Sequence, residues 1–191
     1  LIERNLDRIS GILTSNLGII NIFKGRTKII GDYKLNIFNS YSTKFFEDDL
    51  QGATPSLELN KTELKKLSKA SVIPLQAFLY GKVEMMIMEY CPIGGMVGGK
   101  SDNHNCNHAC EKGNFIIKDR LNKEFQLHTD KFCRCSLFNT VPINIIDKQQ
   151  ELKSMNINSF RLEFTDESYE ESLKILGLLK DENYVPSGEG F

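Results

Sequence analysis

Five cysteines lie within one stretch of the chain, where their spacing could support metal or disulfide chemistry. They are Cys91, Cys106, Cys110, Cys133 and Cys135, and the rest of the 191-residue chain contains none. Crowded thiols of this kind indicate either a disulfide framework or a metal site. Thiolate sulfur suits zinc and iron, so four such ligands would complete a tetrahedral zinc site or hold an iron–sulfur cluster. Disulfides and unlinked thiols are the alternatives.

The rest of the sequence favours the metal. Residues 1–10 are rich in charge and lack the apolar segment of a signal peptide. No apolar run approaches the roughly 20 residues that span a bilayer. We therefore expect a cytoplasmic protein with no membrane partner, and structural disulfides are rare in the reducing cytosol. The cofactor that we expect is a 4Fe–4S cluster or zinc.

The histidines complicate the choice of ligands. His104 and His108 lie among the cysteines and could replace a thiolate, although solvated loop residues are the plainer interpretation. Cys135 is a further alternate ligand, but a spare thiol packed under the loop is the plainer interpretation for it. His128 lies apart from the cysteine loop, and we interpret it as a surface residue of a hairpin.

Catalytic residues are harder to assign. The sequence contains neither the H-E-x-x-H zinc protease motif nor the G-x-S-x-G nucleophile motif. Glu58, Arg161 and Glu163 could form a buried ion-pair network, either catalytic or simply satisfying one another in the core. Glu89 precedes the cysteine segment and could act as an acid or support a metal ligand. These four are weak candidates, and the catalytic residues stay unknown.

Composition excludes some function classes. With 24 basic and 25 acidic residues, the formal net charge is −1, so no general basic excess indicates nucleic-acid binding. A local group of basic residues does lie near the cysteines, and a solvated hairpin is its plainer interpretation. The group consists of Lys112, Lys118, Arg120, Lys123, Lys131 and Arg134.

The pattern of alternating strands and helices predicts parallel β/α units. Strands are predicted over 28–40 (with an alternating core at 34–38), 56–60, 73–80, 84–90 and 160–164, a hairpin over 115–127, and helices over 43–49, 61–70, 143–155 and 169–180. The strands carry polar stripes, which fit a β/α barrel interior better than an open doubly wound sheet. We therefore expect an incomplete or variant TIM-like barrel over residues 1–183, with a cysteine-rich insertion at 91–135 and a tail at 184–191.

Several segments resemble one protein family. The stretch YGKVEMMIMEYCPIGG, residues 80–95, resembles the strand and cysteine signature of the collagenase-like peptidase family (peptidase class U, family 32). The likeness continues through residues 113–135 and 143–167. Residues 33–40 and 57–60 also resemble earlier barrel strands of the family.

The resemblance implies a TIM-like barrel in a bacterial cytosolic protein and an iron–sulfur cluster held by four cysteines. The matching positions are Cys91, Cys106, Cys110 and Cys133. Many members place a second cysteine seven residues after the first, and here that position is Gly98. The family's N-terminal barrel strands are missing from this chain, which begins at Leu1. We expect it to be a piece of a larger protein with further domains.

Three functions follow as hypotheses. The first is a peptidase of this family, and the second is an iron–sulfur-dependent factor for hydroxylating RNA or quinone precursors. The third is a structural fragment in which the metal only holds a loop in place, without catalysis. A site with four thiolate ligands is closed and leaves no position for substrate. The sequence does not decide between a peptide and an RNA substrate.

Overall fold

The computed structural model describes residues 1–101 and 104–180, which fall into two compact units. The first unit comprises residues 1–79, 145–162 and 176–180, and the second comprises residues 80–144 and 163–175. The chain is a mixed α/β protein with several sheets. Within the described part, no helix is long and apolar enough to cross a membrane.

The first unit is built on a short parallel sheet. The strands β1 (Ile12–Thr14), β2 (Ile29–Gly31) and β3 (Gly52–Ala53) pair in that order. A parallel bridge from Ala53 to Leu75 extends this order towards β4 (Gln76–Gly81). The strands are short and closely packed, and Ile29, Ala53 and Leu79 are completely buried. The alternating order of strand and helix in this region agrees with the β/α units that the sequence predicts.

Asparagine side chains begin the helices of this unit. Asn16, Asn39 and Asn60 each accept a backbone N–H bond at the start of a helix, which satisfies amides that have no partner within the helix. Asn60 and Glu63 complete a capping box. The α-helices within the described residues are α1 (Leu17–Phe23), α2 (Ser40–Phe45), α3 (Lys61–Ala70), α4 (Pro92–Met96), α5 (Gln149–Ser154) and α6 (Tyr169–Leu178). Short 3-10 helices span Glu3–Arg8, Tyr33–Leu35, Ala109–Glu111 and Ile146–Lys148.

The second unit contains a four-stranded antiparallel sheet in the order β5-β8-β7-β6. Its strands are β5 (Glu84–Met88), β6 (Phe115–Lys118), β7 (Glu124–Thr129) and β8 (Cys135–Phe138). The β6–β7 turn is closed by Asp119, whose carboxylate accepts the backbone N–H groups of Leu121 and Lys123. Asn122 takes the left-handed conformation in that turn. A third sheet has the order β10-β4-β9, with β9 at Ile143–Asn144 and β10 at Ser159–Leu162.

Several predicted elements are confirmed apart from small shifts at their ends. They are the hairpin, β4, β5, β10, α3 and α6. The strand region predicted at 28–40 is confirmed only near its start, where Ile29–Gly31 forms β2. Its predicted core at 34–38 is wrong, because Tyr33–Leu35 forms a 3-10 helix and Asn36 takes the left-handed conformation. The predicted strand at 56–60 is also wrong, because this segment turns into the cap of α3. The helix predicted over 143–155 begins later, since Ile143–Asn144 pairs as β9.

The strands of residues 1–101 and 104–180 form three separate sheets, and none of these closes into a barrel. The mixed α/β class is therefore established, and the incomplete barrel stays a prediction. The single-domain boundary at 183 likewise stays a prediction. The tail that the sequence suggests at 184–191 lies outside the described residues.

Arg161 makes a largely buried ion pair in the first unit. Its guanidinium donates to Asp32 at 2.9 Å, and the two side chains are 12% and 17% exposed. The same guanidinium lies over the rings of Tyr33 and Phe78, at 5.4 and 5.7 Å from their centroids. Arg161 is thus a packing residue with an acidic partner, whereas Glu58 of the expected network is exposed.

We expect Arg161→Met to lower the free energy of unfolding by about 3 kcal/mol, because the Asp32 carboxylate would stay buried without its charged partner. Chemical denaturation followed by circular dichroism measures this loss. The matched control is Lys24→Met, which removes a more exposed pair with Asp49 and should cost about 0.5 kcal/mol. Equal losses of unfolding free energy in the two variants would contradict the interpretation of Arg161 and Asp32 as a buried ion pair.

Candidate functional site

The four cysteines predicted as ligands meet at one cavity of about 30 Å³ in the second unit. Cys91, Cys106, Cys110 and Cys133 all line it, and Cys135 does not. The remaining lining residues are Gly94, Lys100, His108, Thr129 and Asp130. Three separate segments of the chain therefore deliver thiols to the same small space. Their role as metal ligands stays a prediction.

Cys91 is positioned by the end of β5 and the start of α4. It is buried against Ile93 and Ala109, and Phe115 and Leu127 of the hairpin pack against that cluster. Its sulfur accepts a hydrogen bond from the backbone N–H of Gly94 at 3.3 Å. This bond fixes the position of the Cys91 sulfur at the start of α4.

Two glycines lie beside the sulfur atoms, and one of them makes room for Cys106. A Cβ on Gly94 would stand 3.5 Å from Cys106 Sγ and 3.6 Å from Cys91 Sγ, so both sulfurs lie close to one point. A Cβ on Gly98 would stand 2.4 Å from Cys106 Sγ, far inside contact distance. Gly98 is the position where the family resemblance leads us to expect another cysteine. The sulfur of Cys106 lies beside it instead.

Cys133 is held by a loop that Asp130 organises. One carboxylate oxygen of Asp130 accepts the backbone N–H groups of Phe132 and Arg134, at 2.8 and 3.0 Å. The other accepts the Arg134 guanidinium at 2.8 and 2.6 Å. Desolvation raises the pKa of Asp130, but these bonds hold it below its ordinary value. Cys133 is exposed and takes the left-handed conformation at φ 61°.

The three alternate ligands, Cys135, His104 and His108, differ in burial and in whether they line the cavity. Cys135 is completely buried, and burial together with the nearby Cys91 and Cys110 raises the pKa of its thiol to about 11. It therefore stays protonated at neutral pH, as a spare packed thiol would. His104 is exposed beside Ser101, with 3.3 Å from its Nδ1 to Ser101 Oγ. His108 is exposed at the cavity and lies near Glu111.

The donor set fits a thiophilic metal, but the side chains are not arranged as a finished coordination shell. Within 1–101 and 104–180, no three His, Cys, Asp or Glu side chains already form a group that could hold a metal ion. A rotation about one Cα–Cβ bond moves a thiol sulfur between staggered positions. Binding would therefore require thiols that already line one cavity to turn towards a common centre.

A larger pocket of about 290 Å³ adjoins this cavity. Cys110 and Thr129 line both spaces, so the cysteine loop forms part of the pocket wall. Its other walls come from the hairpin and from Thr165 and Asp166. Sequence reasoning missed Asp166, because it lies far along the chain from the cysteines and belongs to no motif.

The weak catalytic candidates lie elsewhere. Glu58 and Glu89 are exposed, and Arg161 pairs with Asp32. Glu163 is partly buried, and its backbone N–H donates to the Tyr80 carbonyl at 2.8 Å. None of the four lines the cysteine cavity or the larger pocket.

Comparison with known families gives one match. The model of Peptidase family U32 matches residues 6–181. The matched region includes all five cysteines and every residue that lines the two spaces. No curated protein matches the chain.

We expect Gly98→Ala to displace Cys106 and to lower the free energy of unfolding by about 2 kcal/mol, as overpacking does. The added methyl would collide with the Cys106 sulfur and press on the Gly94 backbone at 3.0 Å. The matched control is Gly113→Ala, because a Cβ there meets no atom within 4 Å. Denaturation midpoints and the rate of Cys106 alkylation measure the effect. The expectation fails if both variants behave alike.

Proposed function

Because the chain belongs to peptidase family U32, we propose that it acts in peptide hydrolysis and that Cys91, Cys106, Cys110 and Cys133 bind a 4Fe–4S cluster or zinc. The observation that supports the metal is the single cavity lined by these four thiols. Their sulfur atoms are the donors that both zinc and iron–sulfur clusters prefer. When bound, such a centre would cross-link three segments of the loop, and a cluster would in addition accept or donate an electron.

The coordination chemistry favours a structural role for the metal. Four thiolates fill a tetrahedral zinc site and leave no open position for water or a peptide carbonyl. Metal binding at such a site contributes directly to folding. The centre would therefore fix the loop that carries Cys106 and Cys110, and with it one wall of the adjoining pocket. Peptide chemistry would then take place in that pocket.

Hydroxylation of RNA or a quinone precursor is the weaker alternative. An RNA substrate would need basic residues to hold its phosphate backbone. Two of the basic residues near the cysteines are already paired, Lys118 with Glu124 and Arg134 with Asp130. The local basic group is therefore less available to RNA than the sequence suggests. The third hypothesis is a structural fragment in which the metal holds the loop in place and no catalysis takes place.

We also propose that the first unit is part of an incomplete TIM-like barrel. The parallel order β1-β2-β3, extended by the Ala53–Leu75 bridge, supports this proposal. A barrel places its catalytic groups at the carboxyl ends of its strands. The cysteine segment follows the carboxyl end of β5, in the second unit.

We expect the chain, purified without oxygen, to contain either four irons with sulfide or one zinc per chain. Cys91→Ala and Cys133→Ala should each lower the metal content about tenfold or more, since each removes a ligand. Cys135→Ala is the matched control, because its buried thiol lies outside the cavity lining, and it should retain metal. Elemental and sulfide analysis measures the result. A metal-free protein, or equal loss in all three variants, would refute the four-cysteine assignment.

We expect the protein to cleave denatured collagen, and the cleavage should survive inhibitors of serine and zinc proteases. Release of primary amines measures the reaction, and a heat-unfolded sample is the control. Inhibition by a serine protease reagent would indicate a contaminating enzyme. If cleavage is absent and deletion of the gene changes the mass of cellular RNA, the hydroxylation alternative is correct.

A further inference from the structure

The larger pocket is lined by both polar and apolar residues. Its polar lining includes Asn114, Gln126, His128, Thr129, Thr165 and Asp166. The side chains of Ile93, Phe115 and Leu127 supply the apolar part, and they belong to the cluster that packs around Cys91. A volume of about 290 Å³ is near the lower limit for small-molecule pockets, so it fits a short segment of a ligand.

A chain of hydrogen bonds runs along one wall. Lys82 Nζ donates to Asp166 Oδ2 at 2.7 Å, and Gln126 Nε2 donates to the same oxygen. Thr165 Oγ1 donates to Asp166 Oδ1 at 3.1 Å. The Lys82 and Asp166 side chains are only 14% and 25% exposed. Desolvation raises the pKa of Asp166, but Lys82, Thr165 and Gln126 together hold it below its ordinary value, so the carboxylate is ionised and only accepts.

This arrangement determines which nitrogen of His128 carries the proton. An ionised Asp166 can only accept, so Gln126 must turn its NH₂ group towards it. The amide oxygen of Gln126 then faces His128 Nε2 at 3.2 Å. An oxygen there requires an N–H on Nε2, and in the neutral ring Nδ1 is left as an acceptor. Gln126 and His128 are two residues apart on β7 and therefore project to the same face.

Packing limits the movement of the ring. His128 lies edge-on to Phe138 of β8, with 5.2 Å between the ring centroids. The Gln126 contact and this aromatic contact together restrict the imidazole to a narrow range of orientations. His128 is exposed and lines the pocket, so its ring is accessible to a ligand.

The charges in the pocket select the class of ligand. Asp166 is neutralised by Lys82, and none of the described residues that line the pocket is Lys or Arg. A phosphate would therefore meet a carboxylate without a permanently charged cation in the wall. A peptide main chain instead offers neutral N–H and C=O groups to the amides and hydroxyls, and an apolar side chain to the apolar part.

We infer that this pocket is a peptide-binding subsite in which Gln126, held by Asp166 and Lys82, positions His128 so that Nδ1 accepts a main-chain N–H of the bound peptide. Gln126, Asp166 and Lys82 are positioning residues, and His128 touches the peptide. The inference rests on the proposed peptidase function and specifies where and how its substrate binds.

The test uses ¹⁵N NMR of the imidazole in the full 191-residue chain, in alkaline buffer where histidine is neutral. The probe is the blocked dipeptide N-acetyl-alanyl-alanine methylamide, and inorganic phosphate is the comparison. We expect His128 to show a protonated Nε2 and an unprotonated Nδ1. The dipeptide should move the Nδ1 resonance in the direction of hydrogen-bond acceptance, and phosphate should leave it unchanged.

Gln126→Met keeps the length of the side chain and removes both of its hydrogen bonds. We expect it to weaken dipeptide binding about fivefold, as the loss of a hydrogen bond does, and to mix the two His128 tautomers. The matched control is Glu124→Met, two residues earlier on the same face of β7, where the carboxylate pairs with Lys118 outside the pocket. This control should preserve both the tautomer and the binding.

The outcomes separate the inference from the proposed function. Dipeptide binding at His128 without cleavage of denatured collagen supports the subsite and contradicts the peptidase. Cleavage with no dipeptide effect on His128 contradicts the subsite and supports the peptidase. A phosphate response, an Nδ1–H tautomer, or equal behaviour of Gln126→Met and Glu124→Met overturns the inference. Circular dichroism identifies any variant that fails to fold, and Gln126→Leu then replaces Gln126→Met.

Discussion

The close approach of Cys106 to a glycine backbone is the constraint on which the cysteine loop depends. Its sulfur occupies space that any side chain at Gly98 would fill. A backbone bond holds the two segments together, from the Asn107 N–H to the Gly98 carbonyl at 2.9 Å. Only glycine at position 98 allows the thiol and the backbone to approach so closely. The position of Cys106 therefore depends on Gly98 as much as on the cysteine itself.

The same loop links the two spaces of the second unit. Cys110 faces the small cavity and the larger pocket, and so does Thr129 at the end of β7. A metal that fixed Cys110 would order the pocket wall at the same time, because one residue serves both surfaces. Loss of the metal would then disturb peptide binding without any metal–substrate contact. This arrangement reconciles a closed thiolate site with a hydrolytic function.

The sequence predicted the hairpin beside the site, because residues 115–127 alternate in polarity. The four cysteines that it selected line one cavity, and their role as metal ligands stays a prediction. Prediction from the sequence failed where an alternating pattern was short, and where two interacting residues lie far apart along the chain. Residues 34–38 alternate like a strand, yet Asn36 reverses the backbone direction with φ 53°. The partner of Arg161 is Asp32, 129 residues away, and no periodicity indicates such a pair.

The larger pocket lies apart from the charged residues that the sequence analysis considered. Glu58, Arg161 and Glu163 attracted attention because they are charged residues on predicted strands, yet none lines the pocket. The pocket instead uses Gln126, an uncharged residue that no catalytic motif contains. Its importance arises only from its neighbours, because an ionised Asp166 on one side dictates what the amide presents to His128 on the other. The neutral amide of Gln126 orients the imidazole without placing a second charge beside it, which would suit the peptide-binding role that we propose for this pocket.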